Sequence, residues 1–411
     1  MLGEIQPDSY GYINLDQSRQ ATYYILINIL KNLNLDLIIF QEILLSLSIV
    51  ALFFFINKQT NNLLSLLFYS LIVLNIYYTS FAKVILTESI LFSLFNFAIL
   101  LLFDLEKKIK LILFGLICGL LASLKPIGLP LALILIIFSV LKNKKFINLV
   151  FISIFFIIPI ISENIFFHSK FDKRKTIFKQ IVVGKIFVLS GKDSFKINEY
   201  PENLHSVLSA SKEKFIPVNN YLKTVDNILL KSELLADYEV IAQYQTLNVE
   251  KKIILDNSLS VFLQIIKNNF LDYLVLSAHH YIGNWSIGSK LRLLNIENSE
   301  LPMYSELIKS SGPINSPNYE ILNLSQLFFV LLLLILTIYT LIFLLSFLNL
   351  VKRKISIIDA KLLFIIQAYL LMISFTNVST PRYLMLIYPL TLLISIKFVY
   401  YYISKIFKVY K

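Results

Sequence analysis

Apolar side chains in this chain occur in long runs that are separated by short polar connectors. A helix needs about 20 predominantly apolar residues to cross the hydrocarbon core of a bilayer, and fewer suffice where protein surrounds it. Most of the runs approach that length, so they predict membrane-spanning helices. They cover residues 37–56, 62–80, 85–103, 110–124, 127–141, 147–163, 323–350, 358–376 and 383–403.

Two of these runs, 110–124 and 127–141, are short and are divided by Lys125-Pro126. Proline cannot continue a helix and disfavours the helical conformation in the residue before it. The runs are therefore either two separate spans or one long kinked helix. With two spans, all Lys/Arg-rich connectors fall on one side of the membrane, as the positive-inside rule requires, and with one span they do not. We therefore expect an all-α integral membrane protein with about nine transmembrane helices; the basic connectors are 104–110, 142–146, 351–355 and 404–411.

Composition agrees with this class. The chain of 411 residues is 57% hydrophobic and only 16% charged, whereas soluble domains are near one quarter charged. The net charge of +12 fits lysine-rich cytoplasmic loops rather than nucleic-acid binding. Cys118, the single cysteine, lies in an apolar run and excludes an intrachain disulfide or a cysteine-based metal site.

The topology divides the chain into four predicted parts. Residues 1–35 form an outer loop with an interfacial amphipathic helix at 21–35, and 36–163 form an N-terminal transmembrane bundle. Residues 164–322 form an extracytoplasmic domain that is partly helical, with helical periodicity over 222–277. The last part, 323–411, returns to the membrane.

Charged residues collect at the outer ends of several predicted spans. Glu88 and Lys83 lie near the start of the run at 85–103, and Lys125 and Arg382 lie on the same predicted side. A charge at this depth is costly unless it faces protein, a cavity, a metal or a substrate. The simpler interpretations are snorkelling of the cations to headgroups and a helix-terminal role for Glu88.

Common catalytic motifs are missing from the sequence. It contains no Walker A loop, GxGxxG, zinc-ligand spacing or GxSxG elbow. The pair His279-His280 is a possible metal ligand or acid–base group, but beside the aromatic residues of HHYIGNW such a pair is more typical of packing.

Four segments resemble the GT-C-type membrane glycosyltransferases, the superfamily of protein O-mannosyltransferases and lipid A aminoarabinose transferases. QPDSYGYINLDQ is similar to their first outer loop and KVILTESILFSL to their second-loop motif. GLICGLLASLKPIGLPLAL is similar to their glycine-rich span and basic-Pro turn, and TPRYLMLIYPLTLL to their late R-Y helix start. The resemblance follows the order of motifs along nearly the whole chain, except for 164–322.

The resemblance implies that a sugar is transferred from a polyprenyl phosphate to an extracytoplasmic acceptor hydroxyl with inversion. It assigns Asp8 as the base that takes the hydroxyl proton and gives Glu88 a metal-binding or base-positioning role. It places Lys83, Lys125, and Arg382 with Tyr383, at the donor phosphate, where cations or a divalent metal stabilise developing charge. The family's paired first-loop acids are here reduced to Asp8 beside Ser9.

The family's first loop follows a transmembrane helix, and here Met1 stands where that helix should end. If the first predicted span runs from the outer to the inner side, the residues before it must also be transported across the membrane. Either residues 21–35 assist, or a helix precedes Met1 and is missing from this sequence; we favour the second.

The function expected is therefore a glycosyltransferase of the bacterial inner (plasma) membrane, with membrane lipid and a polyprenyl-linked sugar as partners. The alternatives are an envelope polysaccharide polymerase or ligase, a non-enzymatic lipid-linked-sugar transporter or flippase, and an inactive relative. A transporter predicts polar residues at midplane depth, and the exceptions to the one-sided distribution are Glu42, Asn75 and Asn96.

Overall fold

The computed structural model describes residues 7–59, 62–142, 146–174, 177–244, 250–285, 357–377 and 381–409. Nearly all of these residues are helical, and none of them forms a β-strand. The expected all-α class is confirmed for the described part of the chain. The helices fall into two compact units, which are described separately.

Unit 1 comprises Met1–Lys175, Ser316–Tyr369 and Met385–Lys411. Its described helices, in chain order, are α1 (Pro7–Ile13), α2 (Ala21–Asn32), α3 (Leu37–Gln59), α4 (Asn62–Leu74), α5 (Ile76–Thr79), α6 (Glu88–Leu102), α7 (Lys108–Leu124), α8 (Gly128–Lys142) and α9 (Phe146–His168). A short 3₁₀ turn, Ser80–Lys83, precedes α6.

Unit 2 comprises Thr176–Asn315 and Leu370–Leu384. Its described helices are α10 (Ile177–Ser190), α11 (Glu202–Thr224), α12 (Ile228–Tyr244), α13 (Glu250–Asp256), α14 (Ser258–Asn268) and α15 (Phe270–Trp285). Two further helices, α16 (Ile357–Thr376) and α17 (Pro381–Val409), contribute residues to both units. The described helices within 222–277 agree with the helical periodicity read from the sequence.

Four described helices are long and apolar enough to cross a bilayer, as expected for a membrane protein. They are Leu37–Lys58 of α3, Phe146–His168 of α9, Asp359–Thr376 of α16 and Tyr383–Tyr400 of α17. The bent pair α14 and α15 would make a fifth. The predicted run at 323–350 lies outside the described residues, and nine spans stay a prediction.

The helix predicted over 62–80 is shorter in the structure than the apolar run. Helix α4 stops at Leu74, and Asn75 accepts a hydrogen bond from the Tyr78 backbone N–H through its side-chain oxygen (3.2 Å). Because Asn hydrogen-bonds to nearby backbone, it offers the chain an alternative to helix. A helix of 13 residues is about 20 Å long, less than the roughly 30 Å of a hydrocarbon core.

The predicted break at Lys125-Pro126 is confirmed. Helix α7 ends at Leu124 and α8 begins at Gly128, and the two helices pack against each other. At Gly128, an added Cβ would lie 1.9 Å from the carbonyl oxygen of Leu121. The chain therefore turns back at this point instead of continuing as one kinked helix.

Close packing of α7 on α9 depends on two glycines one turn apart. A Cβ at Gly115 would lie 2.6 Å from the carbonyl oxygen of Ile152, and one at Gly119 would lie 2.4 Å from that of Phe156. Small residues at this spacing let helix backbones approach closely in membranes, where the hydrophobic effect does not drive helix association.

The N-terminal region differs from its predicted loop. Residues Pro7–Ile13 form a helix, with proline at its first position, where the fixed φ of proline suits helix initiation. The helix predicted at 21–35 is present as α2. Its first N–H, that of Ala21, donates to the buried carboxylate of Glu163 on α9 (2.7 Å), which is also paired with Arg174.

Candidate functional site

The centre of the candidate site is a buried ion pair in unit 1. The Nζ atom of Lys125 lies 2.5 Å from Oε1 of Glu88, and the two side chains are 10% and 4% exposed. Glu88 and Lys125, which the sequence places at the ends of two different predicted spans, are thus in direct contact. A buried pair of this kind carries a desolvation cost of several kcal/mol per ion before attraction compensates for it.

Local sequence explains why each partner is there. Glu88 is the first residue of α6, where a carboxylate interacts favourably with the helix dipole. Lys125 lies outside both α7 and α8, with the extended backbone (φ −155°, ψ 143°) that a following proline favours. Both groups therefore sit at helix termini rather than within helices.

Hydroxyl groups extend the pair on the Glu88 side. The Thr87 hydroxyl donates to Oε2 of Glu88 (3.2 Å), and the Tyr12 hydroxyl lies 3.5 Å from the Thr87 hydroxyl. The Tyr12 ring packs edge-on against the ring of Tyr23, with centroids 5.3 Å apart. Tyr12 and Tyr23 thereby connect α1 and α2 to the start of α6.

Gln41 joins this cluster and was not identified from the sequence. Its side-chain oxygen accepts a hydrogen bond from the Tyr23 hydroxyl (2.5 Å), and its Nε2 donates to the carbonyls of Ala82 (3.0 Å) and Val84 (2.9 Å). Gln41 therefore holds the turn that leads to Glu88. The available signal was an amide beside Glu42 near the start of an apolar run, where a polar group needs a partner.

The first-loop segment is attached to the same place. Ser9 donates to the carbonyl of Ile85 (2.7 Å), and Gln20 donates to the carbonyl of Ala122 (3.3 Å). The segment that contains Asp8 thus contacts the turn before Glu88. Gln20, which lies between this segment and α2, contacts the end of α7. Asp8 lies in α1, but its side chain is outside the described part of the structure.

The surroundings are largely desolvated. Burial, followed by the proximity of Tyr12 and of the Glu88 carboxylate, raises the pKa of the Tyr23 phenol well above its ordinary value. Tyr23 is therefore a neutral hydrogen-bond donor at physiological pH. The arrangement offers one carboxylate, one ammonium and several neutral donors to any group that enters it.

A divalent metal at Glu88 fits the described residues poorly. No group of three His, Cys, Asp or Glu side chains that could hold a metal occurs among them. Oε1 of Glu88 already faces the Lys125 ammonium, which would repel a second cation at this distance. The metal-binding role that the family resemblance gives Glu88 therefore stays a prediction.

The other residues predicted for the site are not among the described contacts of Glu88 and Lys125. Lys83 is exposed at the end of the 3₁₀ turn. The Tyr383 hydroxyl accepts a hydrogen bond from Nδ2 of Asn377 (3.3 Å) within unit 2. The side chain of Arg382 is outside the described part of the structure, so its predicted role stays a prediction.

A second buried ion cluster occupies the core of unit 2. Glu239 of α12 lies 3.2 Å from Nζ of Lys185 on α10 and 2.6 Å from Nε2 of His280 on α15. Lys185 also donates to the carbonyl of Asn377 (3.3 Å). All three side chains are at most 1% exposed, which agrees with the packing interpretation of the His279-His280 pair for His280.

Comparison of the chain with protein-family models, with curated proteins and with solved structures found no match.

Proposed function

We propose that the chain is a GT-C-type glycosyltransferase of the bacterial inner membrane. It would take a sugar from a polyprenyl phosphate and transfer it, with inversion, to an acceptor on the outer side, where Glu88 and Lys125 would lie. About nine spans and an outer domain at 164–322 belong to this proposal. Helices of membrane-spanning length support its membrane setting.

The observation that carries the proposal is that the segments resembling the family's motifs meet within unit 1. Ser9 of the first-loop segment contacts Ile85 of the second-loop segment, and Glu88 of the latter pairs with Lys125 of the basic-Pro turn. These contacts join positions 76 and 37 residues apart in the chain.

The late-chain segment meets the same unit. Nδ2 of Asn75 lies 3.7 Å from the sulfur of Met385, and the ring of Tyr388 packs 5.9 Å from that of Tyr78. The late-chain segment therefore contacts the residues that lie just before the second-loop segment in the chain.

The proposed reaction uses these side chains in distinct roles. The acceptor oxygen forms a bond to the anomeric carbon while the bond from that carbon to the phosphate oxygen breaks, and the phosphate leaves with the electron pair. Asp8 would take the acceptor proton, as a general base must lie within hydrogen-bonding reach of that proton. Lys125 would stabilise the charge that develops on the leaving phosphate.

Glu88 has a specific part in this scheme. As the counter-ion of Lys125, it holds the ammonium in a buried position before the donor arrives. A phosphate that approaches Lys125 shares the ammonium with Glu88, and the carboxylate then orients the other groups of the site. A divalent metal at Glu88 stays a prediction of the family resemblance.

The test is sugar transfer by purified protein in liposomes, with a panel of labelled polyprenyl-phosphate pentoses and hexoses. We expect Glu88→Gln to reduce transfer by about 100-fold, the loss that misplacement of the reacting groups produces. Glu42→Gln is the matched control, because Glu42 is a half-buried carboxylate at the start of α3 and should leave transfer unchanged.

Loss of folding is separated from loss of chemistry by a double variant. Glu88→Gln alone leaves the Lys125 ammonium without its buried partner, whereas Glu88→Gln with Lys125→Met removes both charges. The double variant should recover thermal stability but not transfer. Wild-type rates in the Glu88→Gln variant would remove Glu88 from the site. Movement of labelled donor across the bilayer without transfer would favour the transporter.

A further inference from the structure

Helices α14 and α15 present an apolar face that no described residue covers. Leu259 and Leu263 of α14 are 63% and 58% exposed, and Leu271 and Val275 of α15 are 76% and 50% exposed. Each pair is spaced by four residues, which places its members on one face of its helix. Each of these two consecutive helices thus carries a pair of large exposed aliphatic side chains.

The opposite faces of the same helices are already occupied. Val261 and Ile265 of α14, and Tyr273 and Leu276 of α15, are buried in the core of unit 2. An amphipathic helix on a water-exposed protein surface has a polar outer face. Here the helices are apolar on both the buried face and part of the outer face, as expected of helices that contact lipid.

Contacts of α15 place it beside the end of a membrane-spanning helix. The Tyr273 hydroxyl donates to the carbonyl of Phe375, and Nδ2 of Asn284 donates to the hydroxyl of Ser374 (3.3 Å). Ser374 and Phe375 belong to the last turn of the candidate span Asp359–Thr376. A helix attached to that turn lies near the boundary between hydrocarbon and headgroups.

The bend between α14 and α15 has features expected at the boundary between hydrocarbon and headgroups. The helix axes bend by 102° between Asn268 and Phe270, and together the two helices pass the length and hydropathy test for one span. Lys267 is exposed at the end of α14, next to the bend. A lysine at this position can direct its ammonium to headgroups while its stem covers apolar surface.

We propose that the α14–α15 elbow is embedded in the bilayer, with Leu259, Leu263, Leu271 and Val275 in contact with lipid acyl chains. Unit 2 would then be anchored to lipid through its own helices, in addition to the spans. This adds a lipid-contacting surface to the extracytoplasmic domain expected for 164–322. The inference does not depend on the chemistry at Glu88 and Lys125.

The test uses the full chain in liposomes with Cys118→Ser as background. Leu263→Cys, Leu271→Cys and Val275→Cys are each labelled with an environment-sensitive nitrobenzoxadiazole dye. Matched controls carry the label at Glu213 of α11 and Asp256 of α13, which are exposed polar positions of the same unit. Quenching is measured with nitroxide-bearing lipids and with aqueous iodide.

The elbow labels should show blue-shifted emission, be quenched severalfold more by lipid nitroxides than the controls, and be protected from iodide. The control labels should show the reverse. Iodide quenching of the elbow labels at the level of the controls would overturn the proposal, because the face would be in water. Protection from both quenchers would overturn it as well, because protein would then cover the face.

Discussion

The two units each bury an ion cluster, and the clusters differ in where they lie on their helices. In unit 1, Glu88 begins a helix and Lys125 lies in the break between two helices. In unit 2, Lys185, Glu239 and His280 all lie inside helices α10, α12 and α15. The first cluster retains some exposure, whereas the second is almost completely enclosed.

Under the proposed function, the two clusters have different roles although they use the same residue types. A helix terminus has unsatisfied backbone groups and adjoins a turn that can adjust, so a ligand can be accommodated there. Side chains inside three packed helices cannot separate unless the helices do. Burial of charge alone therefore does not identify a functional site; its position relative to helix ends distinguishes the two clusters.

The helices around the enclosed cluster are packed closely enough to support this view. A Cβ at Gly184 of α10 would lie 2.8 Å from the carbonyl oxygen of Glu239, and one at Gly191 would lie 2.5 Å from that of Phe215. Protein interiors at this density transmit strain instead of opening locally. We therefore interpret the Lys185–Glu239–His280 cluster as a structural interaction that stabilises the core of unit 2.

The largest expected effect is on stability in unit 2. Glu239→Leu leaves the Lys185 ammonium buried without its carboxylate and should lower the free energy of unfolding by about 3–5 kcal/mol. The double variant Lys185→Met with Glu239→Gln removes both charges and should recover most of that loss. Unfolding of the detergent-solubilised protein, followed by circular dichroism, measures both.

Sugar transfer by the same double variant tests whether the two ion clusters have different roles. If the unit 2 cluster is only structural, its double variant should recover both stability and sugar transfer. The double variant at Glu88 and Lys125 should recover stability alone. If the unit 2 double variant folds normally but does not transfer sugar, the enclosed cluster also belongs to a functional site, and position relative to helix ends would not separate the two.

Hydropathy drew attention to two residues of the candidate site. Glu88 and Lys125 were identified because a charge beside an apolar run is costly and Pro126 forces a break. Gln41 and Glu239 were not identified, because their hydrogen-bond and ion-pair partners are distant in sequence. The Ala82 and Val84 carbonyls, for example, lie 41 and 43 residues from Gln41.

The fold shows the same division between local and non-local information. The end of α7 follows from one dipeptide, whereas the early end of α4 depends on how Asn75 uses its side chain. An asparagine within an apolar run does not reveal whether it will bond to its own backbone or to another helix. Asn96 is also in such a run and stays helical within α6.

The second expected effect concerns pH. Burial of the Glu239 carboxylate acts to raise its pKa, but the charge of Lys185, then that of His280, and hydrogen bonds from both, hold the pKa below its usual value of 4.5. With a depressed folded-state pKa, the stabilisation is complete above the unfolded-state value and is lost as the pH falls through the folded-state value.

The measurement is the difference in unfolding free energy between the protein with Glu239 and its Glu239→Gln variant as a function of pH. It should be constant from about pH 6 to pH 8 and shrink below about pH 4.5, where the unfolded carboxyl takes up a proton. Taking a difference cancels groups that do not interact with Glu239, and both proteins carry His280→Gln because the Glu239 carboxylate affects the pKa of that imidazole. A difference that grew as the pH fell would mean that the buried carboxyl is protonated and that the cluster is not ionic.

The smallest expected effect concerns uncharged polar groups in unit 1. Nδ2 of Asn96 donates to the Ser48 hydroxyl of α3 (3.0 Å) and to the Tyr78 hydroxyl (3.1 Å), and all three side chains are buried. Hydrogen bonds between helices in membranes contribute about 0.6 kcal/mol on average, because the unfolded chain in the membrane also finds partners.

A double-mutant cycle of Ser48→Ala and Asn96→Ala measures this coupling directly from unfolding free energies. We expect about 0.6 kcal/mol and unchanged sugar transfer. Ser93→Ala is the control, since the Ser93 hydroxyl donates within its own helix to the carbonyl of Ser89 (2.8 Å) and should show no coupling to Ser48. Loss of transfer in Asn96→Ala at full stability would instead indicate that polar groups inside the bundle contact a substrate, as the transporter alternative requires.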